Sequence, residues 1–331
     1  FRRGDTFYGS ITVSNSGSGG NPITYGAYGS GANPIITGFT KVTSWTNIGG
    51  NLWESSSAVS SLSYANIVTV NGVNTGMGRY PNTGFLTYQS HSGNTSITSN
   101  SLNGSPNWTG ADVAVKANRF TIDRAKITSQ SGGTLSFAAI ESTPTNNYGF
   151  FIENDPRTLD VQNEWYYNPS TKKLRIYSSG TPSNIQVSSI DKVINIPGSA
   201  SNIIFNNLTI QGANNFLIFN KYGNNLTIIN CTLSYCGDAG MQLAGNYHNI
   251  SNNTITDCSS SGIFLNYGDP GGHIVKNNTI KRTNLIMGVI ENDYSGGAIW
   301  CTSANTLIQY NNIDSSGYCG INFKHDNVEV R

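Results

Sequence analysis

With 331 residues the chain can bury a substantial core as one large domain or two ordinary ones. Only 11% of its residues are charged and the formal net charge is +1, which leaves no electrostatic argument for nucleic acid or an anionic membrane as a partner. The composition is rich in Gly, Asn, Ser and Thr and poor in the residues that fill helices, so a helical or doubly wound enzyme is set aside and an all-β chain with many turns is expected. No apolar run approaches the roughly 18 residues of a membrane-crossing helix, so a soluble chain with no membrane span is expected.

The chain opens on "FRRGDTFYGS", with no initiator Met and no signal-peptide pattern, and is expected to begin inside a longer sequence. Within residues 1–40, Asn21-Pro22-Ile23 recurs as Asn33-Pro34-Ile35, which predicts early solenoid coils closed by Gly turns. From 41 to 185 that periodicity is lost, and Trp45, Trp53, Trp108 and Trp165 all fall there. The stretch "EWYYNPSTKKLRIYS" has alternating strands around an Asn-Pro-Ser-Thr turn and predicts a hairpin. Residues 41–185 are therefore expected to form an antiparallel, sandwich-like β module inserted into the solenoid or leaning on it, with its aromatics in the core.

Residues 186–331 carry a repeated word, an Asn pair followed by an apolar residue. Aligning it gives Ile210, Leu233, Ile255, Ile280 and Ile313, at steps of 23, 22, 25 and 33 residues. Such a period marks a solenoid, and apolar stretches as short as "LTII" and "GIFL" suit strands. The expected fold is a right-handed parallel β-helix, each residue about 4.8 Å above its counterpart in the previous coil. One column should then hold one kind of residue. Three places after the anchor stand Ala213, Cys236, Cys258, Thr283 and Ser316, all small; three before it stand Asn207, Asn230, Asn252, Asn277 and then Tyr310. The Asn column predicts a ladder of stacked amides that also satisfies the backbone of a bend.

Gly-led strands, "GMQL", "GIFL", "GAIW" and "GINF", form a second family. Alternation turns Ile263, Leu265, Ile321 and Phe323 inward and Gln242, Phe264, Asn266, Asn322 and Lys324 outward, onto a face long enough for an extended ligand. Five Cys exclude complete internal pairing; Cys236 and Cys258 share a column, as a disulfide or as stacked buried thiols, and no spacing suggests zinc.

In order along the chain, "FRRGDTF", "GAYGSGANPIITG", "GRYPN", "NWTGADVAVKANRFTID" and "GFFIENDPRTLDVQNEWYYNPSTKKLRIY" resemble large secreted bacterial right-handed β-helix proteins. That pectate-lyase-like group includes glycoside hydrolases with a sandwich-like insertion. The resemblance implies a carbohydrate-active protein, secreted, extracellular or on the bacterial cell surface, whose partner is a polysaccharide or glycan. It implies glycoside hydrolysis by paired carboxylates on the solenoid face, without a cofactor; adjacent coils offer nearly the carboxyl separation that retaining hydrolysis uses. No outward column stacks two acids here, so part of the constellation, and a further coil, is expected beyond Arg331.

The candidate groups lie off the regular lattice, because irregular loops on a rigid scaffold concentrate function. "NYGDPGGH" (266–273) and "IMGVIENDYSGG" (286–297) lengthen two successive coils. They supply Asp269, Glu291 and Asp293 as candidate acid, base or nucleophile. Tyr267, Tyr294 and Trp300 are candidate sugar platforms, with Asn266 and Asn322 as polar contacts. Lys324 and His325 support a second chemistry: in outline the chain is similar to β-helix uronate lyases, in which a Lys or Arg abstracts a proton and Ca²⁺ neutralises the uronic carboxylate. The acidic Ca²⁺ ligands expected before that lysine are missing. A third reading is a non-catalytic adhesin or structural β-helix. Asp257 with Arg282, and Lys281 with Asp314, share columns and are expected as surface ion pairs; His248 and His273 are expected to cap turns.

Overall fold

The computed structural model describes residues 1–104, 106–286 and 296–331. From about residue 190 onward the chain winds as a parallel β-helix whose coils each lay down three short strands. One coil reads Leu226–Ile229, Thr232–Cys236 and Met241–Leu243, and the next reads Asn249–Ser251, Thr254–Cys258 and Ile263–Leu265. The first strands of successive coils form a seven-stranded sheet (face one); the second and third (faces two and three) join in a thirteen-stranded sheet because Thr209–Asn220 runs unbroken through both. The early strands Thr6–Tyr8, Ile11–Thr12, Ile23–Gly26 and Ile35–Thr37 pair in the same parallel ladders.

The anchor alignment is the observed register: Ile210, Leu233, Ile255, Ile280 and Ile313 are successive partners. The first four are fully buried in one continuous apolar column with Phe205, Ile228, Met241 and Ile299. This is what a strand period of two imposes when one side of every strand faces a shared interior. Phe323, expected inside, is 48% exposed, because Ile321–Phe323 is the last strand of face three and is paired on one side only.

At the corner before face two, the Asn pair divides its labour. The first member adopts left-handed backbone, with φ of 57°, 56°, 58° and 55° at Asn207, Asn230, Asn252 and Asn277, a conformation Asn tolerates well. The amide ladder belongs to the second member, not to the first as the column reading placed it. Asn253 donates to Asn278 Oδ1 at 3.0 Å and Asn278 to Asn311 Oδ1 at 2.9 Å, while Asn253 Oδ1 accepts the Cys231 N–H at 2.9 Å. Only the second side chain points into the coil, where the turn's orphaned backbone groups lie. In the small column Ala213, Cys236, Cys258 and Thr283 are fully buried and Ser316 half-buried, and all five cysteines are free thiols. At the corner after face three, the rings of His248 and His273 stack 4.8 Å apart and cap turns: their Nδ1 atoms accept the N–H groups of Leu226 and His248 at 3.3 and 3.1 Å.

Antiparallel strands occupy Phe39 to Ser188, leaving the solenoid after face two and returning to face three. They build one eight-stranded and two four-stranded sheets over two apolar clusters, with Trp108 and Trp165 buried and the expected hairpin pairing Trp165 with Ile176. The exit needs glycine: a Cβ at Gly38 would lie 2.6 Å from Gly212 O. Asn214, wholly buried, clasps module to coil by accepting the Asn66 N–H at 2.8 Å and the Ser188 hydroxyl at 3.0 Å.

Candidate functional site

The corner between faces two and three differs from the others. Two positions after each anchor the backbone is again left-handed, but the residues are Gly212, Tyr235, Asp257, Arg282 and Ser315, with φ of 76°, 61°, 59°, 53° and 59°. Glycine suits that conformation and Asp tolerates it as Asn does; Tyr and Arg pay a steric penalty in it, and such strain collects at functional sites. The antiparallel module leaves the solenoid at this corner, after Gly38, and the stretch from Thr283 to the next strand at Ile299 is far longer than its counterparts in the two coils before. Insertions in a solenoid map to the side that binds.

Between the module and the corner lies a cleft of about 560 Å³, within the range of ligand sites. Tyr235, Asp257 and Arg282 line it from the solenoid, Arg79, Arg124, Phe151, Glu153 and the loop Gly72–Met77 from the module, and Leu285 and Ile286 from just after Thr283. Each element has a local reason to be there. Tyr235 OH donates to Gly72 O at 2.6 Å, and Trp165 Nε1 to Thr75 O at 2.8 Å, so the loop is pinned at both ends. Arg282 grips Asp257 with two bonds of 2.8 and 2.7 Å, and Arg124 grips Glu153 in the same forked way. Burial pushes the Tyr235 phenol up, with the Asp257 charge adding to it, so the hydroxyl keeps its proton. The Arg79 guanidinium lies 3.8 Å from the Phe151 ring centre.

The residues singled out from the sequence are placed elsewhere. Asn266, Tyr267 and Asp269 come together in a second hollow of about 560 Å³ at the corner after face three, beside Lys221, Tyr222 and Gln242. Tyr267 is 79% exposed there. Trp300 stacks on Phe264 at 3.9 Å in the outward column of face three, and Asn322, next in register, donates to Gly296 O at 3.2 Å. Lys324 and His325 are exposed at the end of that face. None of these seven lines the cleft. Glu291, Asp293 and Tyr294 lie outside the described residues. Among the described residues no group of three or more His, Cys, Asp or Glu is placed to hold a metal ion. No helix among them is long and apolar enough to cross a membrane.

Sequence reasoning paired Asp257 with Arg282 but took the pair for solvated surface; the structure leaves Asp257 only 7% exposed. Lys281 and Asp314, 3.8 Å apart and both exposed, are the surface pair expected. Arg79, Arg124 and Glu153 were not singled out at all. The available signal was Gly212, which marks the left-handed column, together with Gly38 at the same place one coil earlier.

No protein-family model matches the sequence and no curated protein matches it. Among solved structures, a glycoside hydrolase superimposes on 97% of this chain and 70% of its own, with a TM-score of 0.71 at 13% identity. XylC in complex with xylose covers 100% of this chain and 59% of its own, with a TM-score of 0.48 at 13% identity. The gp54 tailspike of Acinetobacter baumannii bacteriophage AP22, in complex with capsular saccharide, covers 94% and 45%, with a TM-score of 0.18 at 10% identity. The expected likeness to β-helix glycoside hydrolases is met at the level of the fold, a parallel β-helix with an antiparallel insertion.

Proposed function

We propose that the chain is an extracellular carbohydrate-active protein that binds a glycan in the cleft at the corner between faces two and three, and that it hydrolyses a glycosidic bond there. The observation that carries the reading is the run of Tyr235, Asp257 and Arg282 in left-handed backbone at the corner where the antiparallel module leaves the solenoid. The fold shared with a glycoside hydrolase supports the reaction class, but one fold hosts many reactions, so the assignment rests on the site. Asp257 from the solenoid and Glu153 from the module are the two carboxylates among the described lining residues, and two carboxylates are what glycosidic hydrolysis needs. Tyr235 and Phe151 supply aromatic surface, and the hollow holding Tyr267 and Asp269 serves as an outlying sugar contact.

The test incubates the purified chain with a panel of polysaccharides and follows both reducing ends and the ultraviolet absorbance of unsaturated sugars. New reducing ends without absorbance are expected, with Asp257→Asn and Glu153→Gln each slowing release by about 100-fold or more. Full activity in both variants would remove the cleft from the mechanism. Rising absorbance that Lys324→Ala abolishes would establish the lyase reading instead, and tight binding without either product the adhesin reading.

A further inference from the structure

Resting on that reading, we infer that the cleft selects glycans carrying an anionic group, and that Arg79 receives it. Three arginines and two carboxylates line the cleft among the described residues. Each carboxylate is already held by one arginine: Asp257 by Arg282 at 2.8 and 2.7 Å, and Glu153 by Arg124, with Nη2 at 3.0 Å from Oε2. The third arginine is spent differently. Arg79 donates from Nε to Pro81 O at 3.0 Å and from Nη2 to Gly84 O at 2.5 Å, and its guanidinium carbon sits over the Phe151 ring, 3.8 Å from its centre.

Carbonyls and a ring face orient a guanidinium without neutralising it. Two carboxylates act on Arg79: Glu153, which is already forked by Arg124, and Glu164, which lies outside the lining, accepts the N–H groups of Asp160 and Val161 at 3.1 and 3.0 Å, and offsets the lining's excess charge only in part. The cleft is therefore left with one oriented positive charge in half-buried surroundings, where an anion's attraction is far stronger than in open water. A chain with a net charge of only +1 supplies no general field that would draw anions everywhere, so the excess is local. A planar fork beside an aromatic wall suits a carboxylate or sulfate on a sugar ring.

The experiment titrates the full chain with a galacturonate oligosaccharide, with the same oligosaccharide after its carboxyls are reduced to alcohols, and with a sulfated galactan oligosaccharide. At least tenfold tighter binding of a charged form over the neutral one is expected, shrinking with added salt. Which charged form binds tighter assigns the group as carboxylate or sulfate. Arg79→Gln should bring charged and neutral forms together. If that variant does not fold, Val73→Glu, which adds a negative charge at a 63% exposed position of the lining, should narrow the preference instead. Equal binding of charged and neutral forms, both weakened by Asp257→Asn, would overturn the anion selectivity and leave the cleft reading standing. A charged preference indifferent to Asp257→Asn, Arg79→Gln and Val73→Glu would overturn both.

Discussion

Two corners of the same solenoid hold their backbone in the same left-handed region and fill it with different residues. The corner before face two uses Asn in four successive coils, and the second Asn of each later pair knits the coils together through its amide. The corner between faces two and three uses Tyr235, Asp257 and Arg282, none of which the turn needs; Tyr and Arg each cost roughly 1–2 kcal/mol in that conformation, Asp less. The first corner is explained by folding alone. The second departs from what folding alone would select, the glycine that stands at Gly212 in the same column; the first does so once, at Tyr310 with φ of 55°, and that residue does not line the cleft. The contrast separates the scaffold's own requirements from the residues placed on it.

The largest effects should fall on the scaffold corners and leave glycan binding unchanged. Asn278 donates to Ile250 O and Asn311 Oδ1 and accepts from the Asn253 N–H, all at 2.9–3.0 Å inside the turn. Asn278→Ala leaves several buried groups unpaired at roughly 1–3 kcal/mol each, so a loss on the order of 4 kcal/mol is expected in chemical denaturation. A loss under about 1 kcal/mol would mean that the ladder does not hold the corner.

Acid should act on the stacked histidines at the remaining corner. Burial lowers His248 from 6.5 to about 4, and burial together with the His248 charge lowers His273 from 6.5 to about 3. Protons therefore bind the unfolded chain first. The stability held by the neutral rings is complete above pH 6.5 and falls as pH drops towards 4 and then 3. Each ring can contribute up to ~1.4 kcal/mol per pH unit in that window. A urea midpoint that is flat between neutral pH and pH 5 would show that the rings are not buried as neutral caps.

The solenoid was legible because stacking forces a column to repeat: Ile210, Leu233, Ile255 and Ile280 announce their register without any long-range information. The Asn pair was legible as a bend marker, but which member carries the ladder was not, since that depends on which side chain turns inward. The cleft was largely illegible for a different reason. Arg79, Arg124 and Glu153 come from a module with no period, and they reach Tyr235, Asp257 and Arg282 only because Gly38 places the departure at one particular corner. Asp269 and Tyr267 were found by the break in period at 266–273, which locates a loop but not the wall it faces.

The smallest effect tests the comparison most cleanly. Ser315 occupies the left-handed column one coil beyond Arg282, with φ of 59°, and does not line the cleft; its hydroxyl donates only to Asp314 at 3.0 Å. Ser315→Gly removes the Cβ penalty at the expense of a more flexible unfolded chain, so a gain of about 0.5 kcal/mol is expected, read as a small rise in melting temperature. At the Asn corner the matching change, Asn252→Gly, should instead cost about 0.5 kcal/mol, because Asn already tolerates the left-handed region and Gly makes the unfolded chain more flexible. Opposite signs at two positions with nearly equal φ would establish that the second corner carries strain the fold did not require. If Ser315→Gly destabilised the chain, non-glycine residues would be native to that column, and the argument that assigns Tyr235, Asp257 and Arg282 to ligand binding would lose its energetic support.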